Sequence, residues 1–175
     1  PDDFQIKEAA EKIKKSKNPI IISGGGVFYS NAMEELSNFA IKHNIPVTQT
    51  VMGYSTMKRD HSHYAGQIGG LGGKNTNDLA KETDLAIAVG TKLADFTTGS
   101  WSNFENEKFK LVSINVSRFD ANKHLAQAVV GDAKVSLIEL SKALGDWKVG
   151  DEWNEKSQRE LKIWNEHIDK ESAPT

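Results

Sequence analysis

The chain has no cysteine among its 175 residues, which excludes disulfides, thiol catalysis and a cysteine-type zinc site. It has little excess of either charge. Its 22 lysines and arginines face 24 aspartates and glutamates, leaving a formal net charge of −2. No lysine–arginine block stands out, so electrostatics give no case for a nucleic-acid partner. Long apolar runs are also missing, and those present fall far short of the ~20 residues that a membrane helix needs. With no charged-then-apolar leader, the cytoplasm is the expected setting. What is present suffices for one ordinary domain with a buried core: 38% hydrophobic residues and 14 glycines. The start at Pro1 without methionine, and the stop in "KESAPT", read as a segment of a longer protein.

Hydrophobic periodicity organises this material. Residues 3–16 place Ile6, Ala9, Ala10 and Ile13 at helical spacing, and Asn18-Pro19 ends that helix because proline cannot continue it. Ile20–Ile22 form a first strand. "NAMEELSNFAIKHN" is a helix with Met33, Leu36, Phe39 and Ala40 on one face and Asn31 as its N-cap. Residues 45–50 read as a strand, followed by a long glycine-rich loop that closes in a short helix. "DLAIAVG" (84–90), "KLVSINV" (110–116) and the weaker "AVVGDA" (128–133) are further strands, and "KVSLIELSKALG" is a helix closed by Gly145. Short apolar strands alternating with helices give an α/β fold: a doubly wound, mostly parallel sheet of five to six strands with helices on both faces. Residues 151–171 stand apart, with Trp153, Leu161, Trp164 and Ile168 in one helical stripe. That helix either packs on its own domain or waits for a partner outside the segment.

In an open parallel sheet, ligands sit beyond the carboxyl ends of the strands. Here those ends carry Gly24-Gly25-Gly26, Gly69-Gly70-Leu71-Gly72, Gly90-Thr91 and Gly131-Asp132. Glycine lets backbone amides approach a phosphate, so the turns are candidates for an anion cradle. The dinucleotide fingerprint G-x-G-x-x-G fails, because Tyr29 stands where its third glycine belongs. The acid that would hold a ribose is missing too, since the second strand ends Thr48-Gln49-Thr50. There is no G-x-x-x-x-G-K-[ST] loop for nucleotide hydrolysis and no G-x-S-x-G for a serine nucleophile. Asp60, His61 and His63 lack a third ligand at metal-binding spacing, which favours a solvated loop. "DFTTGSWSNFENEKF" mixes hydroxyls with Phe96, Trp101, Phe104 and Phe109, and is either a loop folded over the core or a pocket wall.

Several stretches come in a distinctive order: "PIIISGGGV", "HNIPVTQTVMGYS", "GQIGGLGG", "DLAIAVGTKLADFTTGSW", "INVSRFDANKH" and "VVGDAK". Over roughly residues 4 to 145 this resembles the Rossmann-like central domain of thiamine-diphosphate-dependent enzymes. "DFTTGSW" with "FDANKH" is most similar to the trihydroxycyclohexanedione hydrolase branch of myo-inositol breakdown, which cleaves a carbon–carbon bond in a cyclic dione. The resemblance implies a central structural and assembly domain over 1–147. It also implies a linker and helix over 148–175 leading to a C-terminal domain, further domains on both sides, and a homodimer or homotetramer. Thiamine diphosphate and Mg2+ would bind outside the segment: its G-D-G…N motif is absent, Gly131-Asp132 being followed by Ala133 and Gly150-Asp151 by Glu152. The segment alone is then expected to be inactive, with no catalytic and no metal-binding residue of its own.

Some members of this family carry FAD or ADP in the central domain. They place arginine where this chain has Lys92, which cannot make a bidentate clamp, and two acids where it has Asn115 and Ser117. The expectation is therefore a weak anion or nucleotide crevice lined by Gly24, Gly25, Gly26, Gly70, Thr91 and Lys92, without tightly bound FAD. The alternatives are an FAD-binding central domain of the acetolactate-synthase type, and a free-standing nucleotide-binding module.

Overall fold

The computed structural model describes residues 1–172. Helix α1 (Asp3–Lys14) starts on Asp2, whose carboxylate accepts the amides of Phe4 and Gln5 at 2.9 and 3.2 Å. Its buried face is Ile6, Ala9, Ala10 and Ile13, the four residues that the spacing singles out. The chain then alternates. β1 (Pro19–Ser23) leads through a short α2 (Gly25–Tyr29) into α3 (Met33–His43), β2 (Val47–Gln49), β3 (Tyr64–Gln67) and α4 (Lys74–Glu82). β4 (Leu85–Val89), α5 (Asp95–Thr98), β5 (Lys110–Asn115), α6 (Arg118–Ala121), β6 (Gln127–Val130), α7 (Ala133–Leu144) and α8 (Asp151–Glu171) follow. The six strands form one parallel sheet in the order β3-β2-β1-β4-β5-β6.

The chain moves outward from β1 to β3, crosses back beside β1, and continues the other way. Right-handed crossovers of opposite travel put helices on both faces: α1 and α3 pack with α7, while α4 packs with α8. β1 and β4 are buried along their whole length, which is why their sequences are continuous rather than alternating. Among the described residues no helix is long and apolar enough to cross a membrane.

Three local expectations need correction. The glycine-rich loop contains β3, the sixth strand, whose Gly66 takes φ +106° and whose pairing with β2 shifts register between Val47 and Thr48. That irregularity removes the period-two signal. Asn31 is not a helix cap: it takes φ 50° and turns α2 into α3, whose N-cap is Ala32. The helix at the three glycines is thus only α2, five residues long, with Gly24 as its N-cap and Gly25 and Gly26 as its first two residues. The loop of residues 60–63 is solvated only at Asp60 and Ser62. His63 is buried and lies 3.0 Å from Asn44 Oδ1, and His61 Nε2 lies 2.8 Å from Ser37 Oγ. Burial holds both imidazoles below their ordinary pKa.

The two readings of the tail divide along α8. The first half of α8 does not wait for a partner. Trp153 and Leu161 belong to the core, and the Trp153 indole N–H donates to the Pro19 carbonyl at 2.8 Å. β3 is an edge strand, and α8 covers it: Gln158 donates to the Tyr64 carbonyl at 2.9 Å and Asn154 to the Ser62 carbonyl at 3.2 Å. Beyond Leu161 the burial stops. Trp164 is half-buried, and Ile163 and Ile168 are exposed.

Candidate functional site

The strand order reverses between β1 and β4, and a crevice of about 470 Å3 opens beyond their carboxyl ends. Gly25 and Gly26 line one side, Gly90, Thr91 and Lys92 the other, and Tyr29, Met52 and Phe96 form apolar walls. Four of the six residues expected there are therefore present. Gly24 lies beneath them, against the β4 turn. Gly70 is set behind the Phe96 ring, and its amide donates to the Phe96 carbonyl at 2.8 Å.

The reason for three consecutive glycines is steric. None of the three takes a positive φ. A Cβ on Gly26 would stand 2.6 Å from the Gly90 Cα, and one on Gly24 would stand 2.5 Å from the Gly90 carbonyl oxygen. Two turns, after β1 and after β4, thus meet backbone to backbone. Gly90 itself needs its positive φ of 60° to make the contact. Gly25 has a different neighbour, the Met52 carbonyl at 3.1 Å from its would-be Cβ.

This packing uses up three of the donors that a phosphate cradle would draw on. The amides of Gly24, Gly26 and Gly90 donate to the carbonyls of Val89, Gly90 and Ile114, each at 2.9 Å. Asn115 and Ser117 serve the backbone as well. The Asn115 side chain donates to the Thr91 carbonyl at 3.2 Å and accepts the Ser117 amide at 2.9 Å, and Ser117 Oγ caps α6 through the Asp120 amide at 3.2 Å. Among the described residues, Lys92 is the one charged residue lining the crevice. Nearby, Asp120 is held below the usual carboxylate range, first by its hydrogen bond from Lys123, with Lys92 adding a smaller attraction.

The long aromatic loop divides between its two readings. Trp101, Phe104 and Phe109 pack against the core, with the two phenylalanine rings 4.6 Å apart. Phe96 alone stands in the crevice wall. The walls contributed by Tyr29 and Met52 escaped the sequence reading, although both follow a strand's carboxyl end and that position was the available signal.

Among the described residues no three His, Asp or Glu side chains converge as metal ligands, and Gly131-Asp132 serves as the start of α7, Asp132 accepting the Val135 amide at 3.2 Å.

Residues 6–140 match the family described as thiamine pyrophosphate enzyme, central domain. The chain belongs to this family. The 3D-(3,5/4)-trihydroxycyclohexane-1,2-dione hydrolase of Clostridium perfringens is 40% identical over 164 residues, covering 94% of this chain and 26% of that protein. A Bacillus cereus protein with the same activity in its name is 44% identical over 140 residues, covering 80% of this chain and 22% of the relative. A Bacillus anthracis relative of that name is 43% identical over 140 residues, with the same coverages of 80% and 22%. The chain spans about a quarter of the length of these curated relatives. The fold read from the sequence, a parallel α/β sheet of the thiamine-diphosphate central-domain type, is the fold observed.

Proposed function

We propose that this chain is the central structural domain of a thiamine-diphosphate- and Mg2+-dependent hydrolase that cleaves a carbon–carbon bond of trihydroxycyclohexanedione during inositol breakdown in the cytoplasm. The observation that carries the reading is the 44% identity to a hydrolase of that name over 80% of the chain. The lack of a G-D-G…N motif in the sequence, with Asp132 of Gly131-Asp132 capping α7 through the Val135 amide at 3.2 Å, supports placing cofactor and catalysis on other domains. Residues 148–172 then run from the sheet into the next domain, with α8 docked first along β3 and more exposed beyond Leu161. The enzyme assembles as a homodimer or homotetramer.

The test is ring opening of the cyclic dione by the full-length polypeptide. Turnover with thiamine diphosphate and Mg2+ is expected from the full-length protein and none from the 175-residue chain. A full-length protein that binds the cofactor yet leaves the dione intact would refute the substrate.

The crevice is proposed as a weak anion or nucleotide site, without resident FAD. Its lining offers one lysine, the Gly26 and Gly90 amides are bonded within the turns, and such a site holds a nucleotide at about millimolar affinity, roughly −4 kcal/mol. FAD and ADP titrated into the purified chain should give no binding tighter than that. Stoichiometric flavin absorbance, or submicromolar affinity, would instead favour the acetolactate-synthase-type alternative.

A further inference from the structure

The end of the sheet opposite the crevice gathers positive charge. A cavity of about 380 Å3 lies there, and Lys12, Lys15, Lys17, Lys108 and Lys110 are among its lining residues. Strand pairing brings these lysines together from two remote segments. α1 ends at Lys14, and the chain turns through Lys15 and Lys17 into β1. Pro19 of β1 pairs with Leu85 of β4, which pairs in turn with Lys110 of β5. The Lys110 amide donates to the Asp84 carbonyl at 2.8 Å, so the amino ends of the three strands are fixed side by side. The chain as a whole has a formal net charge of −2, and its cations are therefore segregated to this end rather than in general excess.

These charges lack counter-charges. Among the described residues none of the five lysines pairs with a carboxylate. Asp84 is the one acid lining the cavity among the described residues, and it is committed to the turn before β1. Its carboxylate accepts the Lys17 and Asn18 amides at 2.8 and 3.1 Å and the Ser16 hydroxyl. A helix C-terminus favours cations, which accounts for Lys12 and Lys15. It does not account for Lys17, Lys108 and Lys110, which lie beyond the helix. Like charges around one cavity repel, a cost to the folded state that a bound anion removes. Leu85 is the one apolar residue lining the cavity among the described residues, so no aromatic face is offered to a base.

We propose that this cavity binds a small anion carrying several phosphate charges, held by the ammonium groups of Lys12, Lys15, Lys17, Lys108 and Lys110. Lysine is a compact point charge with three rotatable donors, which suits phosphate oxygens without demanding one planar geometry. At about 380 Å3 the cavity has the size of a small-molecule site. It is separate from the glycine crevice, which opens at the carboxyl ends of β1 and β4. The phosphate chain is the recognised chemistry, whether it comes as an inorganic polyphosphate or as the triphosphate of a nucleotide.

Inorganic tripolyphosphate titrated into the 175-residue chain should bind saturably and raise its melting temperature, and sulfate at equal ionic strength should not. ATP carries the same triphosphate and should bind no tighter, because charge alone is recognised. Lys12→Gln combined with Lys108→Gln should weaken tripolyphosphate binding about tenfold, as the loss of two exposed charge pairs implies. Lys17→Gln combined with Lys110→Gln, both at exposed positions, should do the same and guards against a folding defect in the first pair. Lys92→Gln, at the other end of the sheet, should leave the affinity unchanged. The full-length protein should bind tripolyphosphate as the chain does. Tripolyphosphate acting no better than sulfate would overturn the proposal, as would ATP binding tighter than tripolyphosphate. So would binding lost with Lys92→Gln and kept by both paired variants, because the anion would then sit in the crevice. Binding by the chain that vanishes in the full-length protein would also overturn it, since another part of the polypeptide would then neutralise the lysines. None of these readouts uses activity, so a full-length protein without hydrolase turnover counts against the proposed reaction and leaves this test intact.

Discussion

Gly26→Ala is expected to destabilise the domain by about 3 kcal/mol, near the top of the usual range for overpacking. The added methyl would stand 2.6 Å from the Gly90 Cα, and both partners are backbone, so no side chain can swing aside. The β1–α2 turn must move away from the β4 turn, disturbing the two central strands at their junction. Gly25→Ala, one residue earlier, should cost less than about 1 kcal/mol, since its nearest neighbour is the Met52 carbonyl at 3.1 Å and a gain in helix propensity offsets part of the strain. Thermal or urea unfolding of the two variants measures the difference. If the glycines were there to cradle a phosphate, Gly26→Ala would leave stability unchanged and weaken anion binding instead. Equal effects of the two substitutions would also contradict the steric account.

Trp153→Ala should cost about 3–5 kcal/mol, the range for removing a large buried aromatic. Its indole sits in the core and donates to the Pro19 carbonyl, so the substitution removes packing and leaves a buried acceptor without its donor. Trp164→Ala, three turns further along the same stripe, should cost under about 1 kcal/mol because that side chain is only half-buried. Unfolding of both variants against the parent decides the point. Similar small losses would mean that α8 is not part of the domain's packing. Similar large losses would mean that its second half is as firmly docked as its first.

These two contrasts also show which physics was legible in the sequence. β1 and β4 announce themselves because strands covered on both faces are continuously apolar, as Ile20–Ile22 and Leu85–Val89 are. β3 does not, because Tyr64-Ala65-Gly66-Gln67 carries a glycine at positive φ and is completed by side chains from α4 and α8 rather than by its own pattern. The glycine turn was legible in place and not in cause. Gly26 and Gly90 are remote in the chain, and their contact exists only once β1 and β4 pair. The stripe on α8 was legible as a helix face, but which of its residues meet this domain's core depends on where the edge of the sheet lies. For the crevice, the weak points were readable from residue types, Lys92, Asn115 and Ser117 among them. The aromatic walls required the fold.

The central claim is that this chain is one domain of a thiamine-diphosphate enzyme whose cofactor is held elsewhere. The most direct measurement is a calorimetric titration of the purified chain with thiamine diphosphate and Mg2+, run beside the full-length protein. The account predicts saturable binding by the full-length protein and no saturable heat from the chain alone. A micromolar, saturable signal from the chain alone would contradict it.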